Sequence, residues 1–178
     1  MKNLLLVIIT IIFFIDPGKL FAQEPLSPRP SPLSLVTMKY EDTYVKITYC
    51  RPSKRGREIF GSLEPYGEVW RTGANEATEL TFTRNVKIGG YEVAAGTYSL
   101  FTIPENGDWT IIINKDLGQW GAFSYNQDHD LLRFQAKTET METVYEPFTI
   151  EFEQKGIKNT NLLLMWDKTK VIIPIEFQ

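Results

Sequence analysis

The chain carries a single cysteine, Cys50, and a single histidine, His129. One cysteine excludes an internal disulfide, so the fold must hold by packing alone. One histidine leaves a zinc site short of its usual nitrogen and sulfur ligands. No stretch shows the 3.6-residue apolar periodicity of a helix three turns long. The Gly-x-Ser-x-Gly elbow, the His-Glu-x-x-His helix, the Walker loop and the Cys-x-x-Cys pair are all missing. Their absence removes the best-defined nucleophile, zinc, nucleotide and redox signatures. The formal net charge of −3 is mildly acidic, which argues against nucleic acid and anionic membrane surfaces as partners.

Long apolar runs are scarce too. The one present, Leu4 to Ile15, is broken only by Thr10 and is short of the roughly 20 residues of a membrane span. It follows the charged start Met1-Lys2-Asn3 and ends at Asp16-Pro17-Gly18. Leu20-Phe21-Ala22 then offers a small residue ahead of Gln23. This is the layout of a secretory signal peptide cleaved after Ala22, with a retained N-terminal anchor as the alternative. No cysteine stands there to take a lipid. The expectation is export, to the periplasm, the cell surface or the medium, with no membrane insertion after cleavage. The remaining chain is one domain in size, long enough to bury a core without staples.

Residues 23–34, beginning "QEPLSPRPSPL", hold four prolines among Ser and Arg and read as an extended tether or edge. Residues 35–178 read as a single all-β domain. Val45, Ile47 and Tyr49 alternate with Lys46, Thr48 and Cys50, the period-2 mark of a half-buried strand. Thr78 to Thr83 repeats the pattern. Val86–Ile88 and Tyr91–Val93 flank Gly89-Gly90, and Thr97–Ile103 and Trp109–Asn114 flank "PENGD"; both are hairpin signals. Leu131–Lys137, Phe148–Gln154, Asn161–Trp166 and Lys170–Phe177 are further strands. Leu162 to Trp166 is apolar on both faces, as in a central strand. The pattern predicts an antiparallel, jelly-roll-like β-sandwich of about nine or ten short strands, with a closed β-barrel as the alternative.

Two stretches concentrate chemistry. In "CRPSKRGREIFG", Arg51, Lys54, Arg55 and Arg57 stand close together, with Pro52 and Gly56 to bend the loop. Guanidinium forks gathered in this way suit carboxylates, phosphates or sulfates. The blander alternative is a solvated loop paired with Glu58, Glu64 and Glu68. In "VWRTGANEATELTF", Arg71, Asn75 and Glu76 cluster beside Trp70, with Gly73 and Asn75 suited to left-handed backbone. Either they form the polar floor of a pocket walled by Trp70, or they satisfy buried backbone as a structural corner.

Other groupings are thinner. His129 between Asp128 and Asp130, with Asp116 further off, suggests a metal clip or a solvated turn. Trp109, Trp120, Phe123 and Tyr125 suit a sugar-stacking platform or a core. Glu68 and Glu76 are a carboxylate pair of undefined separation. Cys50 reads as a small buried hydrophobe, with no base nearby to make it a nucleophile.

Taken together, "YCRPSKRGREIFG", "YGEVWRTGANEAT", "AAGTYSLFTIP", "WTIIINKD" and "QWGAFSYN" resemble the family catalogued as domain of unknown function 2911, from roughly Ser27 to Phe177. The resemblance implies a β-rich extracytoplasmic domain and carries no reaction or ligand with it. It marks Arg51, Pro52, Gly56, Arg57, Trp70, Arg71, Gly73, Asn75 and Glu76 as matching the family's hallmark motifs. The leading expectation is a non-enzymatic binding module. Arg51, Arg55, Arg57 and Arg71 would engage an anionic or polyhydroxylated ligand, such as a small molecule, glycan or envelope component. Asn75 and Glu76 would orient that ligand, Trp70 would pack on it, and no cofactor or metal would be required. The alternatives are a hydrolase of envelope glycan or peptide using Glu76 or Glu68 with Arg71, and a purely structural domain. The sequence sets no oligomeric state.

Overall fold

A computed structural model describes residues 28–178; the expected signal peptide and residues 23–27 of the expected tether lie outside them. The described residues run as β1 (Leu33–Tyr40), β2 (Thr43–Cys50), β3 (Thr78–Phe82), β4 (Val86–Ile88), β5 (Tyr91–Val93), β6 (Gly96–Ile103), β7 (Trp109–Asn114), β8 (Asp130–Gln154) and β9 (Asn159–Phe177), with a 3-10 turn at Gln127–His129. The strands form one antiparallel sheet in the order β1-β2-β3-β6-β7-β8-β9-β4-β5. The sheet is not closed into a barrel: β1 and β5 end it.

The fold turns on β8. Its first part, Asp130 to Ala136, pairs with β7. From Lys137 onward it pairs with β9 instead. This handover lets the sheet fold over and bury one face against itself. Ile47, Leu80, Leu100 and Ile111 from one half meet Ile150, Leu164 and Ile173 from the other in one apolar cluster. The alternation that places them there is the period-2 pattern of each strand, clearest in β2, where Val45 and Ile47 are buried and Lys46 is exposed.

The later strands are not short. The expected segments Leu131–Lys137 and Phe148–Gln154 are parts of β8, and Asn161–Trp166 and Lys170–Phe177 are parts of β9. Register shifts between Thr140 and Tyr145, and between Tyr145 and Thr149, absorb the interruption. Asp167 sits opposite Tyr145 with φ of 53°. Bulges of this kind bend a strand without ending it, and they accommodate Pro147, which reads in the sequence as a break. β1 was not expected at all. It is an edge strand whose outward residues Leu33 and Leu35 are exposed while Val36, Met38 and Tyr40 are half-buried, so its hydrophobic signal is blurred. The Gly89-Gly90 hairpin forms with both φ positive, and a Cβ on Gly89 would fall 2.3 Å from the Phe134 ring. The "PENGD" hairpin forms too, but Asn106 and Gly107 keep negative or extended φ, because its five-residue loop needs no primed two-residue turn.

One end of the core is aromatic. Trp70 stacks on Trp166 at 5.8 Å and 16°, and meets Phe148 edge-on at 5.1 Å. Phe60 meets Trp109 at 4.6 Å. On the opposite face of β6 and β7, Phe101 and Ile112 are covered by Ala122 and Tyr125 from the loop before β8.

Candidate functional site

The two arginine-bearing loops meet. The loop after β2 begins at Cys50, and the backbone of Cys50 lies against Gly73, where a Cβ would sit 3.0 Å from the Cys50 carbonyl oxygen. Gly73 is therefore needed for space, not for a left-handed turn. The left-handed positions are Thr72, at φ 54°, and Asn75, at φ 58°. A β-branched residue there is costly, and its neighbours hold it. The Thr72 hydroxyl donates to Thr102 Oγ1 at 3.1 Å, and the Thr78 hydroxyl donates to the Thr72 carbonyl at 2.6 Å. Trp70 and Thr102 exchange both backbone bonds, at 2.7 and 2.9 Å, which pins the corner to β6.

Four of the predicted site residues engage the chain's own N-terminal segment. Arg29 Nη1 donates to both carboxylate oxygens of Glu76, at 2.6 and 2.9 Å. Arg55 Nη2 donates to the Pro30 carbonyl at 3.1 Å. Asn75 Nδ2 donates to the Ser31 carbonyl at 3.2 Å. The Arg51 main-chain N–H donates to the Pro32 carbonyl at 2.9 Å. The hydrogen bonds from Arg29 hold the Glu76 carboxyl below the usual carboxylate range.

The remaining donors of the first loop turn inward. The Arg51 side chain donates to the Phe148 carbonyl and to Thr149 Oγ1, at 3.2 and 3.1 Å, tying the loop to β8. Arg57 donates to the carbonyls of Lys54 and Ser53, at 3.0 and 2.7 Å. The expected pairing of these arginines with Glu58, Glu64 and Glu68 does not form among the described residues, because main-chain carbonyls of the tight loop reach them first. Trp70 is fully in the core, with its indole N–H donating to the Gly73 carbonyl at 3.1 Å. Its ring has no face left for a ligand.

Arg71, expected to engage the ligand, and Glu64, expected only as an ion-pair partner of the first loop, make a second locus. Glu64 is half-buried, and desolvation raises its pKa to about 7 against the opposing pull of Arg71 and Arg57. Arg71 Nε is buried and finds no acceptor among the described residues. Glu68 is exposed and has no bonded partner among the described residues. A turn places Glu64 at this locus: its N–H donates to the Ile59 carbonyl at 2.9 Å, and it bridges to Phe60 of the aromatic cluster.

Cys50 is buried, and its thiol donates to Glu76 Oε2 at 3.3 Å. Burial pushes the thiol pKa up, so it is no ready nucleophile. Beside it opens a cavity of about 190 Å3, lined by Leu33, Thr48, Cys50, Glu76, Glu79 and Gly118, among others. The Glu79 carboxylate accepts the Gly118 N–H at 3.0 Å on its rim.

The other groupings disperse. His129 bonds Asp116 at 2.7 Å, while Asp130 turns to Arg133, Tyr125 and Asn114. Among the described residues no three His, Cys, Asp or Glu side chains are placed to share a metal ion. Trp109 is core and Tyr125 covers Phe101, whereas Trp120 and Phe123 are exposed.

An all-β domain with a polar corner of two abutting loops, fastened to an extended N-terminal segment, is the class these features define. The chain belongs to the family described as a protein of unknown function, DUF2911, whose model matches residues 31–175. No curated protein and no solved structure matches it.

Proposed function

We propose that the protein is an exported, extracytoplasmic binding module without catalytic activity, and that its ligand site is the cavity beside Glu76. The carrying observation is that this cavity lies against the polar corner, with two carboxylates, Glu76 and Glu79, on a wall that also includes the apolar side chains of Leu33, Cys50 and Ala77. Carboxylates accept bonds from hydroxyl groups, and an apolar wall suits the face of a sugar ring. At about 190 Å3 the cavity is smaller than the roughly 300–1,000 Å3 of drug-sized sites, so the fitting ligand is one ring or one short polyhydroxylated chain. Two carboxylates disfavour an anion there, and Arg51, Arg55 and Arg57 already serve internal carbonyls. The test is a melting-temperature screen against glucosamine, glycerol 3-phosphate and spermidine. A shift with the amino sugar that vanishes in Glu79→Gln supports the reading. No shift with any of the three, at millimolar ligand, would sink it.

A second reading, hydrolysis of an envelope glycan or peptide, has one observation in its favour. Glu64 is the carboxyl whose pKa is lifted to about 7, where a general acid or base works best, with Arg71 nearby. Glu76, held ionised by Arg29, is unsuited to that role. Hydrolysis of envelope substrates with a bell-shaped pH profile lost in Glu64→Gln would favour this reading over the first.

A further inference from the structure

We propose that the corner between Cys50 and Glu76 is a docking groove for an extended, proline-rich peptide bearing one arginine, and that Arg29–Pro32 of the chain itself occupies it in cis. This rests on the binding-module reading and names a second, macromolecular ligand for the same corner. Four consecutive residues meet four different partners: Glu76, Arg55, Asn75 and the Arg51 amide. Three of those partners are donors and one is an acceptor. The bound segment is the converse. Pro30 and Pro32 have no N–H to satisfy, and what the segment presents to these partners is three carbonyl oxygens and one guanidinium.

That complementarity is chemical and is not particular to this segment. Any chain in extended or polyproline conformation presents carbonyls at this spacing, already ordered and therefore cheap to bind. Only the arginine needs to match, because both Glu76 carboxylate oxygens accept from its Nη1. The cis contact is built to be displaced: the Arg29 and Glu76 side chains are 53% and 41% exposed, and exposed pairs hold weakly. What keeps Arg29–Pro32 seated is its tether, since covalent linkage supplies a high effective concentration. A partner's Arg-Pro-x-Pro segment therefore competes for a groove that its owner keeps closed.

The test is fluorescence anisotropy with a labelled peptide of sequence PLSPRPSP added to the full chain. The Arg29→Ala chain should bind it about tenfold or more tightly than the parent, because the cis competitor has lost its anchor. Adding Glu76→Gln to that chain should lose the gain, and a peptide with alanine for arginine should bind neither. Arg55→Ala, at an exposed residue, serves as a second groove variant whose fold is safe, and it should weaken binding in the Arg29→Ala background. Equal affinity for parent and Arg29→Ala chains, indifference to Glu76→Gln, or no binding overturns the groove. If the peptide fails while the Glu79-dependent melting shift persists, only the groove falls. If the peptide binds and the shift is absent, only the cavity falls.

Discussion

Arg29 Nη1 bridges both carboxylate oxygens of Glu76 across 47 positions of sequence. The same carboxylate accepts a hydrogen bond from the Cys50 thiol on its inner side. Glu76 thus joins the outermost described segment to the end of β2, and it does so with a charge that titrates.

Acid should release the N-terminal segment. The Glu76 pKa is lowered by Arg29, so the pairing is intact at pH 5 and is lost as pH falls through the depressed value. Hydrogen exchange at the Arg51 amide, which donates to Pro32, should quicken below that point and at every pH in Arg29→Ala. The global melting temperature of Arg29→Ala should stay close to the parent's. A large drop in melting temperature would show that the pair is structural.

Gly73→Ala should cost about 1–3 kcal/mol, because the new Cβ meets rigid backbone at the Cys50 carbonyl. Gly107→Ala, where a Cβ meets nothing within 4 Å, should stay within about 0.5 kcal/mol of the parent. Urea unfolding of the two variants makes the comparison.

Glu64 should make the fold less stable as pH rises. Its folded pKa lies near 7, above the ordinary carboxylate value. The protonated form is therefore favoured by folding below the unfolded pKa, and that advantage is lost as pH climbs toward 7. The full effect is on the order of 3 kcal/mol. Glu64→Gln should flatten stability between pH 5 and pH 8, and Arg71→Gln should raise the Glu64 pKa further. Urea unfolding across that pH range reads the first, and carboxyl NMR titration reads the second.

Trp70→Ala should lose about 3–5 kcal/mol, as expected for a fully packed indole, and should disturb the near-UV dichroism of the aromatic cluster. Trp120→Ala, on an exposed ring, should stay within about 0.5 kcal/mol. Equal costs for the two would mean that Trp70 is not the keystone of that cluster.

The strand content was legible because alternation survives in β2 and β3, where one face is buried and the other is wetter, and because turn residues bracket β6 and β7. It failed for β1, whose position at the sheet edge leaves both faces partly exposed, and for β8 and β9, whose bulges carry Pro147 and Asp167 in the guise of turns. The polar corner was legible as a place, since Arg51, Arg55, Asn75 and Glu76 do converge. What they converge on was not, because Arg29–Pro32 lies far away in sequence and proline-rich segments show no periodicity. Trp70 could not be told from a pocket wall for a related reason: its neighbours Trp166, Phe148 and Trp109 come from strands that only the folded sheet brings together. Glu64 was passed over because burial, which shifts its proton affinity, has no signature in a turn of mixed residues.

The placing of β1 sets how far the domain can reach. β1 has one neighbour in the sheet, β2, and little of the core depends on it beyond Val36, Met38 and Tyr40. Edge elements with few buried contacts open first, well short of global unfolding. If Arg29 lets go of Glu76 and β1 then peels from β2, eight residues pass from the sheet into the leash. At about 3.3 Å each they lengthen it by roughly 25 Å. A domain fastened by its N-terminus would gain that radius of search, and would draw itself back when the strand returns.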